Sequence, residues 1–298
     1  MFGKQFRRNI PLHTMLLPAV ALTILFAYVP MAGIVIAFQK FIPNRGFFNS
    51  RWVGWDNFAY MLNMPDIYQV ILNTLYIAVM KIIAGMIVPI VVALLLNEMK
   101  SKSLTRAIQT IVYLPHFLSW VIMGGILIDL LSMKGIVNQF IQWIGFQPVF
   151  FLGSNDWFPF TLVASSTWKE FGFSTIVFLA AITSIDPTNY EAAYIDGANR
   201  WKQMLYVTLP GMTPIIVLLT VLNLGNILNA GFDQVFILYS PSVYESGDII
   251  DTMLYRIGFV EAQYGVSTAV GLFKSVISTI LIAISYWMAY RLANYRIF

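Results

Sequence analysis

The run EAAYIDGANRWKQMLYVTLP at 191–210 sets Glu191, Asp196, Arg200 and Lys202 among Ala192, Ala193, Tyr194 and Tyr206. These types form no catalytic set, because no nucleophile stands beside a base. They suit docking: a short amphipathic helix that shows aromatics and charge to water can seat a protein partner. Asp186-Pro187 reads as a helix start, a capping carboxylate followed by proline at the first helical position. The spacing predicts a helix from Pro187 to about Asp196, on which Tyr190, Ala193 and Tyr194 share a face. Two aromatics flanking an alanine make an apolar knob. Gly197 then permits a turn that side chains resist, and a second short helix over 198–208 leads to Pro210. The competing reading is a connector lying on lipid headgroups.

A second group is Asn223, Asn226 and Asn229, with Asp233 just beyond. On one helix these four fall within an arc of about 120°. Asparagine both donates and accepts, which suits sugar hydroxyls; the alternative is hydrogen bonding between helices. A third group is Trp168, Lys169 and Glu170. Neighbours on a helix point about 100° apart, so Lys169 and Glu170 are poorly placed to pair face to face and are expected to pair with other helices. Tyr239, Tyr244, Tyr255 and Tyr264 can stack on sugar rings, but interfacial aromatics have the same signature. Lys81 and Lys274 can satisfy carboxylates, snorkel, or line a cavity. His13 and His116 stand apart without carboxylate-rich company and read as packing residues; no metal site is expected.

The elements that carry these groups follow from composition. The 298 residues are 58% hydrophobic and 11% charged, with mean hydropathy +0.73. A soluble domain carries about 25% charged residues, so the medium is lipid. Cysteine is absent, which removes disulfides and thiolate metal sites, and no Lys/Arg run suggests nucleic acid. Six apolar stretches are long enough to cross, at 15–38, 70–96, 108–131, 157–183, 212–230 and 268–290. The fold expected is an all-α integral membrane protein, one domain over 1–298. Its first span is a retained helix, not a cleaved signal, bent or interrupted at Pro18 and Pro30.

Orientation follows from basic residues. With the N-terminus in the cytoplasm, inside segments hold Lys4, Arg7, Arg8, Lys100, Lys102, Arg106, Arg200, Lys202, Arg291 and Arg296. Outside segments hold Lys40, Arg45, Arg51, Lys134 and Arg256. Ten against five predicts both termini in the cytoplasm and places the 186–210 loop there, between spans four and five. Outside, residues 39–69 are rich in aromatics and 232–267 in carboxylates; a short interfacial helix over 248–261 is expected. Either loop can cap the bundle or seat an external partner.

The pattern Glu191-Ala192-Ala193, Gly197, Val207, Leu209-Pro210 resembles the EAA loop of ATP-binding cassette importer permeases, in spacing and in its position before the penultimate span. YVPMAGIVIAFQKF (28–41), TWKEFGFSTIVFLAAITSIDPTNYEAAYIDGANRW (167–201) and NAGFDQVFILYSP (229–241) look like the oligosaccharide and polysaccharide permeases of the maltose-type class, in particular the LplB-like branch. The maltose permease subunit has extra N-terminal spans and a large external loop domain, which this chain does not show, so binding-protein docking is not carried over. The resemblance implies a bacterial cytoplasmic-membrane location, a second permease subunit, two ATPase subunits and an extracellular solute-binding protein. Tyr190, Glu191, Ala192, Ala193, Tyr194, Asp196, Gly197 and Arg200 would then couple to the ATPase. Asn223, Asn226, Asn229, Asp233, Tyr264, Trp168, Lys169 and Glu170 are candidates for the saccharide path. No G-x-x-x-x-G-K-[ST] run occurs, so no cofactor is expected on this chain and ATP with Mg is assigned to the partner subunits. A secondary transporter fits six spans but leaves the loop spacing unexplained.

Overall fold

A computed structural model describes the backbone of residues 2–293 and the side chains of 12–287; the side chains of Lys4, Arg7, Arg8, Arg291 and Arg296, which weigh in the charge count, lie outside the described residues. Among the described residues five helices are long and apolar enough to cross a membrane: Leu12–Phe38, Ile67–Asn97, Trp120–Trp143, Arg200–Gly225 and Tyr264–Trp287. Phe158–Thr183 and Pro187–Ile195, bent by 68° to one another, bring the number to six where the pair counts as one span. Contacts divide the chain into two units, Met1–Met64 with Leu254–Phe273 and Pro65–Met253 with Lys274–Phe298.

In the first unit the helix Phe2–Thr23 passes Pro18 without interruption. The irregularity falls later, in a π turn at Ile24–Tyr28 where Val29 N–H bonds Ile24 O. Its cause is Pro30, which brings no N–H to the carbonyl four residues back and crowds it; widening the turn relieves both. No interruption falls at Pro18, one of the two positions expected to bend or interrupt the span. The span tightens to a 3-10 helix at Ala32–Phe38. An all-α fold is also not quite met, because Gln39–Lys40 pairs antiparallel with Arg51–Trp52. Asn57 Nδ2 holds this ribbon to the span by donating to Ala37 O at 2.8 Å and Gln39 O at 3.0 Å. Phe38 stacks on Trp52 at 5.8 Å and meets Trp55 edge-on at 5.4 Å.

In the second unit the Ile67–Asn97 helix packs along Phe158–Thr183. One apolar core gathers Ile77, Met123, Phe158, Leu162, Val235 and Ile249; another gathers Met86, Ala93, Phe178, Ile182 and Met212. At Gly172 a Cβ would sit 1.9 Å from Val112 O, so the Lys102–Tyr113 helix can cross there only against glycine.

Two expected spans are redrawn. The stretch 108–131 is not one helix. Lys102–Tyr113 runs into a 3-10 turn at Leu114–Phe117 around Pro115, and Trp120–Leu131 begins afresh with Ser119 Oγ accepting from Ile122 N. Proline and a capping serine break the helix inside an apolar run. The stretch 212–230 is displaced. Arg200–Gln203 continues through a π turn at Met204–Thr208 into Leu209–Gly225, so the separate short helix expected over 198–208 merges with the span. The helix then stops at Gly225. Asn226 N bonds Asn223 O at 3.0 Å and Asn229 N bonds Asn226 O at 2.8 Å, and Gly231 (φ +93°) turns the chain into Phe232–Leu238. The stretch 248–261 forms the helix Ile250–Tyr255 followed by a π turn at Arg256–Val260.

Candidate functional site

The Pro187–Ile195 helix is closed at both ends. Asp186 Oδ1 accepts from Thr188 N at 2.9 Å. That bond favours the ionised carboxyl and holds Asp186 below its ordinary pKa. At the other end Ala198 N bonds Ala193 O at 2.9 Å and Gly197 N bonds Tyr194 O at 3.0 Å, a Schellman closure that requires the left-handed Gly197 (φ +75°). The helix is therefore a short rod with no frayed turn.

Its faces differ from the expected knob. Tyr190 is half-buried, with its hydroxyl 3.0 Å from Thr208 Oγ1, and Ala193 lies on the same side. Tyr194 is 76% exposed and Ile195 84% exposed, with Glu191, Ala192, Asp196 and Gly197 also exposed. The apolar point offered outward is thus Tyr194 with Ile195. The 100° step separates Ile195 from the Tyr190 face, and the i, i+3, i+4 pattern passes over it. Arg200 Nη1 lies 3.1 Å from Glu98 Oε2, tying the segment after Gly197 to the end of the Ile67–Asn97 helix. No local pattern in the sequence pairs Glu98 with a residue 102 positions away.

A cavity of about 380 Å³ lies in the same unit, between the Ile67–Asn97 and Phe158–Thr183 helices and the chain after Leu209–Gly225. Asn223, Asn226, Asn229 and Glu170 line it, together with Lys81, Ser166, Thr167, Ser174, Trp120 and Gln234. The asparagines reach it from a helix end and the turns beyond, not from one helix face, because the helix stops at Gly225. Asp233 sits on Phe232–Leu238 outside this lining, and Trp168 is 40% exposed, also outside it. Tyr264 belongs to the first unit, where it meets Phe41 edge-on and borders a separate cavity with Tyr60 and Asn57.

Lys169 is buried and stands outside the lining of the first cavity. Its Nζ donates to His116 O at 2.8 Å and lies 3.4 Å from Glu170 Oε1, while Glu170 Oε2 meets His116 Nδ1 at 2.7 Å. The two neighbours do approach each other, against the expectation from helix angles, because His116 draws both side chains to one point. His116 stacks on Phe173 at 4.2 Å, and Lys169 Nζ lies 5.7 Å from the centroid of the Trp120 ring.

Lys81 Nζ donates to Ala230 O at 2.6 Å and to Gln234 Oε1. Gln234 Nε2 in turn donates to Leu162 O and Ser165 Oγ, each at 2.8 Å. Lys274 Nζ pairs with Asp251 and donates to Asn229 Oδ1 at 3.0 Å. Thus Lys81 lines the cavity and Lys274 satisfies a carboxylate.

Residues 82–294 match the family described as binding-protein-dependent transport system inner membrane component. The chain is 39% identical to Protein LplB of Bacillus subtilis (strain 168) over 277 residues, covering 93% of this chain and 87% of that protein. It is 40% identical to the polygalacturonan/rhamnogalacturonan transport system permease protein YteP of the same organism over 275 residues, covering 92% and 86%. Among solved structures, a bacterial alginate ABC transporter in complex with alginate pentasaccharide-bound periplasmic protein matches with TM-score 0.89 at 39% identity, covering 97% of each chain.

Proposed function

The chain belongs to the binding-protein-dependent transport system inner membrane component family, and from that premise we propose that it is the permease subunit of an ATP-driven importer of oligosaccharides or polysaccharide fragments. It is a transport subunit, not a catalytic one. In this reading it sits in the bacterial cytoplasmic membrane with both termini inside. It works with a second permease subunit, two ATPase subunits that hold ATP and Mg, and an extracellular solute-binding protein. The names of its relatives, which handle polygalacturonan, rhamnogalacturonan or alginate, support the saccharide assignment.

One observation carries the mechanism. The rod Pro187–Ile195 is bonded through Tyr190 to Thr208 at the root of Leu209–Gly225, and Arg200, where the next helix begins, is bonded to Glu98 at the end of Ile67–Asn97; these are two of the spans that line the cavity. The rod carries Glu191, Tyr194 and Ile195 outward to a cytoplasmic ATPase. Closure of the ATPase pair pushes a body that does not bend, and the displacement reaches the helices bearing Lys81 and Asn223. The cavity then alternates between outward and inward access, a shift between two packed states. Asn223, Asn226 and Asn229 face the passing hydroxyls, and Glu170 stays paired with Lys169 and hydrogen-bonded to His116. Asp233, Trp168 and Tyr264 remain candidates for contacts made in other states of that cycle.

The test is reconstitution of the assembled transporter in vesicles. We expect uptake of an oligosaccharide that depends on both ATP and the binding protein. Uptake that persists without ATP and follows an ion gradient would return the chain to the secondary transporters.

A further inference from the structure

Among the described residues two ionisable groups line the cavity, Lys81 and Glu170. Glu170 has both carboxylate oxygens engaged, one by His116 and one by Lys169. Lys81 is in the opposite condition. Its acceptors, the Ala230 carbonyl and the Gln234 amide, are neutral, and among the described residues no carboxylate comes within 4.0 Å of its Nζ. It stands near the middle of the 31-residue Ile67–Asn97 helix. A cation at that depth is costly unless a counter-charge meets it. Other lysines of the bundle have one: Lys274 has Asp251, and Lys169 has Glu170.

The surroundings leave space at this ammonium. An ammonium has three donors, and two are used. Gly231 keeps the approach free, since a Cβ there would sit 3.1 Å from Lys81 Nζ. Gly85, one turn along the same helix, has nothing within 4 Å of an added Cβ. Gln234 fixes the lysine: its Nε2 bonds to Leu162 O and Ser165 Oγ leave Oε1 directed at Nζ. Neutral hydrogen-bonding groups line the same cavity, among them Asn226, Ser166 and Thr167. Among the described residues Thr167 Oγ1 is buried without a partner.

We propose that Lys81 is the charge-reading residue of this cavity and takes the carboxylate of an acidic saccharide, a uronic-acid unit whose hydroxyls meet the neighbouring amides and hydroxyls. This rests on the reading of the cavity as a saccharide path. Gln234 is then a positioning residue, holding the ammonium at the wall while its third N–H points to the sugar.

The test uses the assembled permease–ATPase complex in detergent, without the binding protein, so that the cavity alone selects. A trisaccharide of uronic-acid units and its carboxyl-reduced neutral counterpart are titrated against wild type, Lys81→Gln and Lys81→Arg. A charge-assisted hydrogen bond predicts a preference of about ten- to hundredfold for the acidic form in wild type. Lys81→Gln keeps a donor but no charge, and should erase that preference; Lys81→Arg should retain it. Equal binding of the two forms by wild type overturns the proposal and leaves the saccharide reading standing. So does a preference that Lys81→Gln leaves unchanged. Loss of assembly with the second permease in Lys81→Gln, with preference intact in the complexes that survive, would give Lys81 a protein carboxylate as its partner and also overturn it. A complex that binds neither form nor any neutral oligosaccharide defeats the saccharide reading itself, and this proposal with it.

Discussion

The Tyr190 hydroxyl lies 3.0 Å from Thr208 Oγ1, joining the Pro187–Ile195 rod to the π turn ahead of Pro210. Thr208 is 2% exposed, so the bond is sheltered from competing water. Tyr190→Phe removes it with almost no change in volume, at about 0.5–1.5 kcal/mol. Amide hydrogen exchange in the rod should quicken by about two- to tenfold. ATP hydrolysis should continue with less saccharide moved per ATP. Unchanged exchange would mean that the two segments are held together by other contacts.

Gly197 separates backbone from packing. Its φ is +75°, and no atom lies within 4 Å of an added Cβ. A substitution there meets backbone strain alone. Gly197→Val puts a β-branched residue in the left-handed region, a strain of about 1–2 kcal/mol or more, whereas Gly197→Asn is tolerated. The valine variant should insert and assemble with the second permease while uptake collapses; the asparagine variant should keep most of its transport. Normal uptake by Gly197→Val at normal abundance would show that the turn is dispensable.

Asn226 and Asn229 differ as probes of the path. Asn229 Oδ1 accepts from Lys274, which pairs with Asp251, so replacing it disturbs an ion pair. Among the described residues the Asn226 side chain bonds Leu222 O and Asn229, with no ionic partner. Asn226→Leu should therefore change the preference between two saccharides of different length, by about two- to tenfold, at unchanged thermal stability. A lowered melting temperature with the preference intact would assign Asn226 to packing.

The cap at Asp186 carries a pH dependence. Its folded pKa is depressed below the ordinary 3.8 by the Thr188 N–H. The cap's contribution is accordingly present above that value and is lost as acid protonates the folded carboxyl. Hydrogen exchange in the rod should accelerate below about pH 4 in wild type, and Asp186→Asn, which keeps an acceptor, should flatten that dependence. An identical acid profile in both proteins would place the titrating group elsewhere.

Topology can be read by labelling, because the chain has no cysteine. Asn189→Cys on the rod should be shielded from an impermeant maleimide in intact cells, and Ser242→Cys, exposed in the loop after Phe232–Leu238, should react. The reverse pattern would invert the orientation.

The spans were legible because a bilayer leaves a coarse signal: about 20 apolar residues, then charge. The rod was legible because its punctuation is local, with Asp186 and Pro187 at one end and Gly197 at the other. What escaped was set by partners far along the chain. Nothing near Lys81 announces Ala230 or Gln234, 149 and 153 residues away. Nothing near Glu170 announces His116, 54 residues back. The stop at Gly225 was hidden for another reason. The residues after it remain apolar enough to extend a hydropathy run, and only the backbone turns at Asn226 and Asn229 reveal that the helix has ended.

Two prolines, Pro30 and Pro210, each follow a π turn by two residues, at Ile24–Tyr28 and Met204–Thr208. A π turn holds one residue more than the α-helix it interrupts. Each turn is therefore a splice point where chain length and helix face come uncoupled. A homologue shorter by one residue between Trp201 and Pro210 can keep both flanks in register by reverting to α geometry, provided the proline is also lost. The same deletion inside Leu209–Gly225 would swing every later side chain by about 100° and carry the asparagines off the cavity wall. Single-residue gaps among such chains should therefore collect at Met204–Thr208 and be accompanied by replacement of Pro210.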